Sequence, residues 1–148
     1  MSLAIAVING PNLNLLGHRE PEIYGGTSFE EYFASLQKTF PVLTLSYFQS
    51  NVEGTLIDHI HECFKGGVDG IVLNAGAYTH TSLALADAVA AIGMPVVEVH
   101  ISNVFAREEY RRTSYIASKC AGSISGLGLQ GYELAVRWLN MHLSAETL

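Results

Sequence analysis

The alternation of buried strands and amphipathic helices predicts an α/β chain with a parallel sheet between two helical layers. Three observations carry this. Four short apolar runs, rich in β-branched residues and bounded by turn residues, read as strands buried on both faces: Leu3–Ile8, Gly70–Leu73, Pro95–Ile101 and Ser123–Leu127. Helical patterns separate them, which is the order that right-handed crossovers between parallel strands produce. Polar side chains gather just after the strands, at the edge where open parallel sheets bind ligands.

The elements follow in order. A fifth run, Val42–Phe48, alternates apolar and polar residues and is expected nearer a sheet edge. Thr27 or Ser28 can cap the first helix, with Glu30 or Glu31 three residues on completing a capping box, and the pattern continues through Phe33, Leu36 and Gln37 to Pro41. The second helix is expected from about Gly54 to Lys65, with Leu56, Ile57, Ile60 and Phe64 on one face and Gly66-Gly67 as its stop. Ser82–Ile92 is an Ala-rich helix ending before Gly93, and Tyr132–Leu143 is the last. Five strands and four or five helices in this length suit a flavodoxin-like three-layer fold with a five-stranded parallel sheet. We expect residues 1–148 to form a single domain. The segment Asn9–Gly26 is long for a strand-to-helix connection, and such loops are usually functional or disordered.

Composition narrows the function. The 148 residues are 49% apolar and only 15% charged, which excludes intrinsic disorder. No apolar stretch approaches the roughly 20 residues of a membrane span, and the N-terminal segment lacks the basic start of a secretory signal. Fourteen acidic and eight basic residues give a net charge of −6, without the basic stripe that nucleic acid requires. Cys63 and Cys120 make neither a disulfide framework nor a metal cluster, and they fit a reducing, cytoplasmic setting. So few charges on so small a chain mean either a surface of neutral polar groups or one partly covered by other copies.

The strand ends point to a small, polar, hydroxylated and anionic ligand. They carry Asn9, Asn12, Asn14, Arg19 and Tyr24; Gln49, Ser50 and Asn51; Asn74, Tyr78, Thr79, His80 and Thr81; and His100, Ser102 and Asn103, followed by Arg107, Arg111 and Arg112. Glu98 and His100 are two apart on a strand and face the same side. Inside an apolar run Glu98 needs a partner, and a bond to His100 would supply it and fix the imidazole tautomer. Gly126-Leu-Gly-Leu-Gln-Gly131 matches G-x-G-x-x-G but follows the last strand, so no βαβ unit completes it; the glycines fit a tight turn and close helix packing. His59 and His61 cannot share one helix face. None of the three lysines, Lys38, Lys65 and Lys119, sits at a strand's carboxyl end, which disfavours Schiff-base chemistry.

Seven motifs in order resemble the type II 3-dehydroquinate dehydratases: GPNLNLLG (10–17), REPEIYG (19–25), FQSN (48–51), NAGAYTHT (74–81), EVHISN (98–103), REEYRR (107–112) and GLGLQGY (126–132). The resemblance spans essentially the whole chain; Tyr110 replaces an expected Phe. It implies a metal-free, cofactor-free dehydration of 3-dehydroquinate to 3-dehydroshikimate by anti elimination through an enolate, in a homododecamer of four trimers. By resemblance, Tyr24 is the base, and Arg19 favours its phenolate, with Arg111 adding to the field. Asn12 steadies the enolate oxygen through an ordered water. His100 is the acid for the departing hydroxyl, oriented by Glu98. Ile101 and Ser102 hold the substrate carboxylate, Asn74 contacts the leaving hydroxyl, His80 and Arg111 contact ring hydroxyls, and Asp87 comes from a neighbouring subunit. The loop at about 10–26 is expected to act as a lid bearing Arg19 and Tyr24, mobile without ligand, with Gly17, Gly25 and Gly26 as flexible points. The role served, aromatic biosynthesis or quinate breakdown, stays open.

Three rivals share the fold. A mononucleotide-binding module without catalysis would need small residues after the first strand, where Pro11 and leucines stand. A phosphoacceptor receiver would need an aspartate where Asn74 stands. A dead scaffold would not keep Arg19, Tyr24 and His100.

Overall fold

A computed structural model describes residues 2–18 and 26–146. Five strands, β1 (Ala4–Asn9), β2 (Thr44–Gln49), β3 (Gly70–Asn74), β4 (Val96–His100) and β5 (Gly122–Ser125), form one sheet in the order β2-β1-β3-β4-β5. All four pairings are parallel. This is the flavodoxin-like order. The main helices are α1 (Phe29–Thr39), α2 (Glu53–Lys65), α3 (Leu83–Ile92) and α4 (Gln130–Glu146). No helix among the described residues is long and apolar enough to cross a membrane.

The strand period sorts the core into two layers. In β1, Ile5 and Val7 join one cluster with Phe29 and Leu36 of α1 and Tyr132, Val136 and Leu139 of α4. Ala6 and Ile8 point the other way, onto Leu56 and Ile60 of α2 and Leu85 and Val89 of α3. Because both faces are covered, β1 and β3 read as apolar runs up to their terminal Asn, and β4 does so except for Glu98 and His100. Each fully buried aliphatic side chain contributes about 1.5–3 kcal/mol.

Caps set the helix limits. The Ser28 hydroxyl accepts from the Glu31 N–H, and the Ser82 hydroxyl accepts from the Leu85 N–H. Gly93, with φ +74°, ends α3 in the left-handed region.

Two expectations need correction. The run at Ser123–Leu127 is not a fully buried strand: β5 is the exposed sheet edge, and it ends where Gly126 turns at φ +88° and leaves Leu127 exposed. A short apolar run looks the same in a central and an edge strand. Phe64 lies outside the buried face of α2, 54% exposed, and Cys63 takes the inward place. The Gly126–Gly131 glycines behave as expected. Gly126 and Gly128 have positive φ, and a Cβ on Gly131 would lie 3.3 Å from Val99 Cγ1 and 3.4 Å from Ile124 Cγ2. His59 stacks on Phe48 with ring centroids 3.9 Å apart, a packing role, while His61 is exposed.

Candidate active site

Sheet register brings the polar ends of the five strands to one edge. Asn9 lies opposite both Gln49 and Asn74, and His100 lies opposite Ser125. The chain leaving β1 is pinned at once: the Gly10 N–H donates to the Asn74 carbonyl at 2.7 Å. Two residues on, Asn12 adopts φ +69°, the one non-glycine positive φ among the described residues. Such a conformation is disfavoured by roughly 1 kcal/mol or more and needs support. Asn51 supplies it, its Oδ1 accepting the Asn12 N–H at 3.0 Å. Gln49 Nε2 donates both to the Gly10 carbonyl and to Asn51 Oδ1, each at 3.1 Å. The polar end of β2 thus braces the loop that presents Asn12.

Glu98, on β4, is 1% exposed. Its Oε2 accepts from His100 Nε2 at 2.9 Å, Thr79 Oγ1 at 3.0 Å and Ser114 Oγ at 2.7 Å, and its Oε1 accepts from Ser123 Oγ at 2.6 Å. Burial alone would raise its pKa; the bonds from His100, Ser123 and Ser114 and the His100 charge prevail and hold it down at about 2. The carboxylate therefore only accepts, which places a proton on His100 Nε2 and leaves Nδ1 as the ring nitrogen available for proton exchange. The pairing read from strand alternation is present. Thr79, Ser114 and Ser123, which complete it, come from three other segments, so nothing local in the sequence marks them.

His80 Nδ1 lies 2.7 Å from the Thr113 carbonyl and must carry the proton. Burial lowers its pKa, against the raising effect of that bond. The ring is therefore neutral near pH 7, with Nε2 free to accept from a ligand hydroxyl. It stacks beside His100, ring centroids 6.3 Å apart.

These groups surround a cleft of about 100 Å³ beyond the carboxyl ends of the strands. Asn12, Asn74, His80, His100, Ile101, Ser102 and Arg111, all expected from the sequence, line it. Glu98 stands behind His100, in an adjoining recess shared with Thr79, Ser114, Ser123 and Ser125. Asp87 is exposed on α3 and does not line the cleft of its own chain. Arg19 and Tyr24, with the central part of the expected lid, lie outside the described residues. Sequence reasoning did not place Arg107 in the site. It lines the cleft and donates from Nη1 to Ser102 Oγ at 3.1 Å. Its spacing from Ser102 was the available signal, but a loop spacing does not fix direction. Arg111 pairs with Glu108 at the same rim. Among the described residues no three His, Cys, Asp or Glu side chains converge on a point that could hold a metal ion.

Two arginines, a neutral histidine acceptor, two asparagine amides and a carboxylate-backed histidine suit a small hydroxylated anion undergoing proton transfer. Fold and cleft together define a flavodoxin-like α/β protein with the layout of an acid–base enzyme. The chain matches the family described as Dehydroquinase class II over residues 3–140. It is 52% identical to the 3-dehydroquinate dehydratase of Pelodictyon phaeoclathratiforme, an alignment covering 93% of this chain and 92% of that one. It is 53% identical to the catabolic 3-dehydroquinase of Aspergillus clavatus over 92% and 91% of the two chains. The crystal structure of the type II dehydroquinase from Butyrivibrio crossotus superposes with a TM-score of 0.90 at 46% identity, covering 94% of this chain and 98% of that one. The chain belongs to the class II dehydroquinase family.

Proposed function

We propose that the chain is a 3-dehydroquinate dehydratase, a carbon–oxygen lyase that makes 3-dehydroshikimate and water with its own side chains. The observation that carries this is the buried Glu98–His100 pair facing a cleft that also holds Asn12, Asn74 and two arginines. The reaction needs a base for the proton next to the ketone, a stabiliser for the enolate and an acid for the departing hydroxyl.

Tyr24, acting as a phenolate that the charge of Arg19 would favour, takes the proton, and the C–H electron pair moves into the enolate. Asn12, fixed by Asn51, steadies the enolate oxygen through a water. When the ketone re-forms, the new C=C bond closes as the C–O bond breaks, and the hydroxyl leaves as water with a proton from His100. Glu98 stays ionised throughout and stabilises the imidazolium. The proton on Tyr24 returns to His100 through solvent and restores the resting state. Asn74 orients the leaving hydroxyl, His80 Nε2 and Arg111 hold ring hydroxyls, and the Ile101 N–H and Ser102 hydroxyl hold the carboxylate. Closure of the lid would bring Arg19 and Tyr24 over the substrate and exclude water.

Residues 1–148 act as one catalytic domain, and we assign the enzyme to the cytoplasm, where free Cys63 and Cys120 are stable. We further propose a dodecamer of trimers in which Asp87, exposed on α3, completes a neighbour's cleft. Exposed Leu83, Phe105 and Tyr110 support a covered surface. The test is ultraviolet absorbance of the conjugated enone on mixing with 3-dehydroquinate. A rise is expected; no rise would leave a binding module without catalysis. Tyr24→Phe should abolish the rise while retaining substrate binding, and unchanged turnover would remove Tyr24 from the base role.

A further inference from the structure

A second polar group lies beneath the cleft, and the acid–base residues do not account for it. Tyr132, at the start of α4, is fully buried, as is Asn9 at the end of β1, and Asn74 is 3% exposed. Asn74 Nδ2 donates to Tyr132 Oη at 2.8 Å, and Tyr132 Oη donates to Asn9 Oδ1 at 2.8 Å. At the other end the Gly76 N–H donates to Asn74 Oδ1 at 3.1 Å.

The direction of this chain of bonds follows from one group that cannot reverse. A backbone N–H only donates, so the atom of Asn74 facing Gly76 must be its oxygen. The nitrogen then faces Tyr132. An amide nitrogen only donates, so the phenol must accept there and send its own proton to Asn9. Burial pushes the Tyr132 phenol up, against the lowering bonds from Asn74 and Asn9, so it keeps that proton. Asn74 is left with one N–H and one oxygen lone pair for a ligand in the cleft it lines.

We infer that Tyr132 is a positioning residue: its hydroxyl, 2.8 Å from Asn74 Nδ2 and from Asn9 Oδ1, sets which face of the Asn74 amide meets the substrate. Without the hydroxyl, the amide nitrogen faces a buried apolar ring edge. The amide then rotates to find another acceptor or leaves a buried donor unpaired. Either change alters what is offered to the leaving hydroxyl. A purely structural tyrosine would hold the helix against the sheet and leave the amide alone.

The kinetic arm of the test rests on the dehydratase reading; the spectroscopic arm does not. Tyr132→Phe removes the oxygen and keeps the ring. Val136→Ala, a buried core change one turn along the same helix, supplies a destabilised control outside the cleft. In ¹⁵N-labelled protein the Asn74 side-chain amide protons are expected to exchange with solvent at least about tenfold faster in Tyr132→Phe than in Val136→Ala. Equal protection in the two variants overturns the inference. With 3-dehydroquinate, kcat/KM of Tyr132→Phe should fall on the order of tenfold, mainly in kcat, while Val136→Ala stays within about twofold of the parent. In an Asn74→Ala background the further Tyr132→Phe change should cost no additional activity, though it still lowers stability. Full additivity there, or a normal kcat in Tyr132→Phe alone, overturns the inference. A parent protein that does not turn over 3-dehydroquinate removes the dehydratase reading, and the amide exchange then decides the role of Tyr132 by itself.

Discussion

Replacing Gly10 by alanine is a sharp test of how the site is built. A Cβ at position 10 would lie 2.5 Å from the Ala75 carbonyl oxygen, 2.7 Å from its carbon and 3.2 Å from its Cα. Carbon and carbonyl oxygen normally meet no closer than about 3.3 Å, so the chains must part by roughly 0.8 Å. The obstacle is backbone, which has no rotamer to change. It is also the backbone next to Asn74, whose carbonyl accepts the Gly10 N–H at 2.7 Å. The strain should cost about 1–3 kcal/mol in overpacking, a large share of a stability of roughly 5–15 kcal/mol. Separation also moves Asn12 relative to Asn74 across the cleft. A displacement near 1 Å at reacting groups lowers rate on the order of a hundredfold. Urea unfolding followed by circular dichroism gives the first quantity, and enone absorbance below the unfolding transition gives the second. An unfolding midpoint equal to the parent's, together with kcat/KM within about twofold, would refute the claim that this contact sets the spacing of the cleft.

Other outcomes follow from the remaining groups. Glu98 has a folded pKa held down at about 2, against about 4.3 when unfolded, so its contribution is complete above the unfolded value and is lost as pH falls toward 2. Ser123→Ala removes its 2.6 Å donor at the exposed sheet edge, which should raise that pKa, move acid unfolding to higher pH and cost about 1 kcal/mol; coincident acid-unfolding curves would show the bond to be idle. If Asp87 completes a neighbour's cleft as proposed, Asp87→Asn and His100→Ala should each be nearly inactive alone, yet regain activity when dissociated and reassembled together, since some clefts then combine an intact His100 with a neighbour's intact Asp87. No regain after verified subunit exchange would place Asp87 outside the site.

Much of this arrangement was readable from local pattern. Two-residue alternation put Glu98 and His100 on one face, and the buried apolar runs located β1, β3 and β4. What escaped depends on distance in sequence. Thr79, Ser114 and Ser123 reach Glu98 from 19, 16 and 25 residues away. The same holds for β5, where an apolar run does not reveal whether a neighbour covers it, and for Phe64, where helix phase drifted by one residue and Cys63 turned inward. Arg107 shows a third limit: its place in the cleft is set by the 3₁₀ turn Val104–Ala106 before it, which no periodicity announces.

The bond from Tyr132 to Asn9 spans 123 residues. The pairing of β1, β2, β3 and β4 can gather the described cleft residues at one sheet edge before α4 docks, but it does not fix the Asn74 amide. Until that helix docks, Asn9 and Asn74 face an open layer and water competes for their amides. The cleft is thus finished by the docking of α4, and a chain with four strands in register but α4 undocked would still lack a settled Asn74. Competence to act on substrate would arrive in one step, with the closing of the core layer that α4 shares with α1.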